Sequence, residues 1–174
     1  MKPHPMVTVP EMSYEFERSL FDPNALARAE AIYLAVDWAR LEEDETEFVF
    51  LMGCRCARYR HEFDLARDRL AALPVDSEFG HLGESLRLNW MVGDMEAAIR
   101  DARALAVRIG ESDAFPAPGL MACAIVLGRA GFADEAATLY TLFSKRATSW
   151  SWNRFDYVDL LITFGPLLMN TESK

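Results

Sequence analysis

Apolar residues recur at three- and four-residue spacing along much of this chain, and strand-like alternation is weak. Ala29, Ile32, Tyr33, Val36 and Ala39 form one such stripe in "FDPNALARAEAIYLAVDWARLEED". Asp22 suits an N-cap there and Pro23 the first helical position, which predicts a helix of about 20 residues. The acids of "EEDE" at 42–45 suit the start of the next helix, where the backbone dipole favours negative charge. Residues 11–21 read as a short helix, and 1–10, with Pro3, Pro5 and Pro10, as an irregular arm. Beyond Thr46 the pattern is of helices separated by breaks at 74–83 and 110–119, with single-glycine elbows at Gly93 and Gly131. A last helix at 147–168 is expected to stop at Gly165 and Pro166, leaving 169–174 as a frayed tail. The reading is of a single all-α domain, 1–174, with an N-terminal helical segment at 11–45 and a helical array at 46–146.

The array carries an internal repeat. With Gly93 set against Gly131, Ala98 matches Ala136, Ala102 matches Tyr140, and Leu105 matches Phe143. Before the glycines, Leu86 matches Ala124, Ser85 matches Cys123, and Leu82 matches Leu120. A weaker third copy puts His61 in the glycine place. Ala66, Leu70 and Leu73 follow it, and Ala57, Cys54, Gly53 and Phe50 precede it. The alanine marks at 66, 98 and 136 stand 32 and 38 residues apart. Small residues let two helices of a hairpin approach closely, and glycine accepts the left-handed backbone of a tight elbow.

This pattern resembles the tetratricopeptide (TPR) repeat, a helix–turn–helix unit of about 34 residues. The resemblance covers 47–146 and is degenerate: the spacing is uneven, and the tryptophan and tyrosine positions of the family are mostly lost. It implies stacked antiparallel hairpins, about three repeats, with a C-terminal capping helix. It also implies that the first helix of each hairpin lines a concave groove. Carried over, that register gives Phe48, Leu51, Arg55 and Arg58, then Arg87, Trp90 and Met91, then Met121, Ile125 and Arg129. Arginine forks a carboxylate, and Trp and Met give adaptable apolar contact. Such a groove suits an extended or helical segment with apolar anchors and acidic groups. The competing assignment has these arginines solvated or paired with the chain's own carboxylates.

Within the repeat family the layout is similar to the class II chaperones of type III secretion. That similarity implies holding a secreted protein's segment, and a homodimer through the N-terminal helices. The expected function is therefore a non-catalytic adaptor or chaperone binding another protein. A structural subunit of a larger complex and an enzyme with a site assembled in space are the alternatives.

Composition narrows the choice. A formal charge of −9 argues against non-specific nucleic-acid binding. No apolar run approaches the roughly 18–20 residues of a membrane span. The three cysteines, Cys54, Cys56 and Cys123, fit a reducing, cytoplasmic setting as buried thiols. Cys54 and Cys56 would point about 200° apart on a helix, so no metal site is expected. "HEFDL" at 61–65 lacks a second histidine four residues on, and no glycine-rich phosphate loop or Gly-x-Ser-x-Gly motif occurs. No cofactor and no catalytic residue are assigned. In "SKRATSWSWNRFDY" (144–157), basic residues alternate with Trp150, Trp152, Phe155 and Tyr157. Such a mix can stack nucleotides, but anchoring of the last helix fits the acidic chain better.

Overall fold

The computed structural model describes residues 5–19, 22–73, 78–111, 117–147 and 154–169, and among them every regular element is helical. The helices are α1 (Pro5–Arg18), α2 (Ala25–Leu34), α3 (Glu43–Tyr59), α4 (Phe63–Ala71) and α5 (Glu78–Val92). They continue with α6 (Met95–Glu111), α7 (Ala117–Arg129), α8 (Ala133–Ala147) and α9 (Arg154–Met169). A 3-10 turn, Trp38–Arg40, lies between α2 and α3.

Three elbows share one hydrogen-bond pattern. His61, Gly93 and Gly131 have φ of 60°, 82° and 91°, all left-handed. At each, the elbow N–H donates to the carbonyl three residues back, at 3.1–3.2 Å: Arg58, Trp90 and Gly128. The next N–H reaches five residues back, Glu62 to Ala57, Asp94 to Asn89 and Phe132 to Leu127, at 2.9–3.0 Å. These two bonds satisfy helix-end carbonyls in a Schellman motif. The second helix then begins at once. The N–H of Ala66, Ala98 and Ala136 donates to the carbonyl of Glu62, Asp94 and Phe132, which fixes the alanine five residues after each elbow. Ala66 and Ala98 are buried in their hairpin seams, and Ala136 is half-buried.

Internal contacts group the chain into two compact units, 1–80 and 81–174. In the first, α3 pairs with α4, and α1 and α2 pack together and onto α3. Met12 and Phe16 of α1, Ala25 and Ala29 of α2, and Val49, Met52, Cys56 and Ala57 of α3 are buried. Gly53 is required by the approach of α2, because a Cβ there would overlap the Tyr33 ring. Arg28 ties α2 to α1 through Glu15, at 2.9 Å.

In the second unit α6 packs on α7, and α7 on α8 and α9. The α5–α6 seam is partly polar: Ser85 Oγ and Asn89 Nδ2 both donate to Asp101 Oδ2, at 2.6 and 2.9 Å. α7 and α8 approach closely at Gly128, where an added Cβ would sit 3.4 Å from that of Ala136.

Four expectations about helix ends are corrected. Residues 5–10, read as an irregular arm, belong to α1; Pro5 opens it, where a missing N–H costs little. The 20-residue helix ends at Leu34 and starts after Asn24, with Pro23 in the preceding turn. It breaks because Trp38 folds back between Phe50 and Tyr33, with ring centroids 4.5 and 5.6 Å away. The breaks at 74–83 and 110–119 are narrower, since α5 starts at Glu78, α6 runs to Glu111 and α7 starts at Ala117. Finally, α9 runs through Gly165 and Pro166 to Met169. The proline keeps a helical φ and gives up one backbone bond. The expected start of a helix at the "EEDE" acids does occur, and Glu45 accepts the Glu42 N–H at 3.1 Å. Trp150, Trp152 and the tail beyond Met169 lie outside the described residues.

Candidate functional site

The second unit brings α5, α7 and α9 together around Arg87. Its guanidinium is buried, pairs through Nε with Asp159 Oδ2 of α9, and donates from Nη1 to the Gly83 carbonyl at 2.8 Å. Its charge also reaches Cys123 of α7. Burial pushes the Cys123 thiol up to about 12, and Arg87 opposes that shift without cancelling it. One turn further along α5, the Trp90 ring lies 5.5 Å from Phe164 of α9. Arg87 and Trp90, three residues apart, share a helix face.

The ten groove residues of the sequence reading divide between the units. In the first unit, Phe48 and Leu51 are half-buried, Leu51 against Cys54, Leu70 and Leu73. Arg55 and Arg58 are buried, and the Arg58 guanidinium stacks on Tyr59 at 4.8 Å. In the second unit, Trp90, Met91, Met121 and Ile125 are half-buried. Of the four arginines, three are buried and Arg129 is exposed. The expected carboxylate partner of Arg87 exists, but the chain itself supplies it.

Sequence reasoning missed Asp159 and Phe164 as the residues facing Arg87 and Trp90. The available signal was an aspartate inside the apolar run "YVDLLITF". It also missed a buried cluster in the first unit. Arg69 Nη1 of α4 donates to Glu30 Oε2 of α2 at 2.8 Å and to the Gly53 carbonyl at 2.7 Å. The Arg69 guanidinium lies over the Tyr33 ring at 4.3 Å, and Arg60 approaches Glu30 at 3.6 Å. Burial works against the Arg69 charge, and Glu30 outweighs it, raising the pKa. The signal was Glu30 beside the apolar stripe. This cluster joins α2, α3 and α4 and is filled by its own members.

Cys54, Cys56 and Cys123 are buried thiols outside any disulfide, and burial also holds the Cys56 thiol well above its ordinary range. Among the described residues no group of three His, Cys, Asp or Glu side chains is placed to hold a metal ion. No described helix is long and apolar enough to cross a membrane.

The class this arrangement defines is an all-α protein of helical hairpins, with a helix-lined polar and aromatic seam in its second unit. Compared with protein-family models, curated proteins and solved structures, the chain matches none of them.

Proposed function

We propose that this chain is a non-catalytic, TPR-like interaction module, an adaptor or chaperone that holds a helical or extended segment of another protein. The observation that carries this reading is the α5–α7–α9 seam. There Arg87 and Trp90, two residues of the expected groove, already meet a carboxylate and an aromatic ring from a helix. The repeated elbows support the TPR-like assignment, since one bonding pattern recurs at His61, Gly93 and Gly131. The buried thiols and acidic charge agree with a reducing cytoplasm.

Of the expected groove residues in the second unit, Met91, Met121, Ile125 and Arg129 are half-buried or exposed on α5 and α7, and the proposal has the partner meet this surface. The test is capture from native lysate on tagged full-length protein, with bound proteins identified by mass spectrometry. Ile125→Asp with Arg129→Glu should remove a stoichiometric partner and leave the helical circular-dichroism spectrum unchanged. Arg55 and Arg87 are unsuitable for this test, because reversing a buried charge would perturb the fold itself. A partner retained by the folded double variant would exclude this surface.

A further inference from the structure

Val158, Asp159 and Leu160 are consecutive and all buried, as are Thr163 and Phe164. At about 100° per residue, these positions cover about two-thirds of the helix circumference. A helix laid on a flat surface hides a narrower stripe, so α9 is enclosed on more than one side. Two of its contacts are with α5 and advance in the same sense: Asp159 to Arg87, then Phe164 to Trp90. α7 packs on it as well.

The polarity of this seam is informative. Arg87 is 5% exposed and Asp159 1%. A buried ion pair is often no more stabilising than well-packed apolar residues of similar volume, whereas stranding one member is strongly destabilising. The pair therefore makes the seam selective. A helix that takes the place of α9 must bring a carboxylate to Arg87 or leave that charge buried and unpaired, and must cover the apolar positions that Val158, Leu160 and Phe164 now fill.

We propose that the α5–α7 face is a receiving groove for an amphipathic helix that presents an aspartate and, five residues on, a phenylalanine. α9 is its built-in occupant, and a partner helix of that chemistry enters by displacing it. This rests on the interaction-module reading and names the chemistry of the partner.

The probe is a fluorescein-labelled peptide of residues 154–169, titrated into full-length protein and followed by anisotropy. In the wild type α9 fills the groove and binding is weak. Asp159→Asn in the protein removes the carboxylate that holds α9 to Arg87 and should tighten peptide binding at least tenfold. Phe164→Ala loosens α9 without touching the charge and should act in the same direction, which keeps the test open if Asp159→Asn fails to fold. A peptide carrying Asp159→Asn should lose at least tenfold against the Phe164→Ala protein. Equal peptide affinity in the wild type and every folded variant would overturn the proposal, as would indifference to Asp159→Asn in the peptide. Peptide binding with an empty lysate capture keeps the groove and removes the cellular-partner reading. Stoichiometric capture without peptide exchange does the reverse.

Discussion

Cys123 shows how burial fixes chemistry at a single residue. Its thiol is fully buried, with a pKa pushed up from 9.0 to about 12. The folded chain keeps this proton while the unfolded chain loses it above about pH 9, so the unfolded state binds fewer protons there. Stability must then fall as pH rises from about 9 towards 12. Urea midpoints at pH 7, 9 and 10.5 should decline across that range, and Cys123→Ala should start lower but decline less steeply. At pH 8, Ellman's reagent should modify the three thiols only after urea is added. The burial of these cysteines was legible in the sequence, because they sit among apolar and small residues at helical spacing. The burial of Arg55, Arg58 and Arg87 was not. An arginine long enough to reach a distant carboxylate looks in sequence like one that reaches solvent.

The elbows are the best-read elements. Gly93 and Gly131 announce themselves because few other residues tolerate positive φ, whereas His61 was placed by the matched positions around it, Ala66, Leu70 and Leu73 after it and Ala57, Cys54, Gly53 and Phe50 before it. Their energetics follow from the backbone alone, since a Cβ on Gly93 or Gly131 meets nothing within 4 Å. Gly93→Ala and Gly131→Ala should each cost about 1–2 kcal/mol. His61→Gly should gain up to about 1 kcal/mol, less whatever its edge contact with Phe63 contributes. Gly165 lies inside α9 directly before Pro166, whose ring crowds a Cβ on a helical residue, so Gly165→Ala should not bring the about 0.5–1 kcal/mol that replacing a mid-helix glycine brings elsewhere. Denaturant midpoints of the four variants give the comparison. Helix ends were less legible wherever distant contacts decide them. Trp38 closes α2 early by stacking on Phe50, and Pro166 fails to stop α9. Neither outcome follows from local propensity, which tertiary packing overrides.

For the whole molecule, the helical class and the hairpin order could be read because both rest on contacts close in sequence. The ties that anchor α2 and α9 could not, because their partners lie far apart along the chain. That separation also implies an order in time. The elbow bonds join residues at most five apart, so little chain entropy opposes them and the hairpins can form early. The Glu30–Arg69 tie spans 39 residues and must wait until α2 reaches the finished α3–α4 hairpin. Glu30→Gln strands the Arg69 charge and should cost about 3–5 kcal/mol. A tie that closes after the rate-limiting step puts nearly all of that loss into faster unfolding in stopped-flow traces, with the refolding rate almost unchanged. A matching drop in refolding rate would place the docking of α2 inside the folding nucleus. In kinetic terms, the Glu30–Arg69 tie works as a latch that sets how long the first unit stays folded.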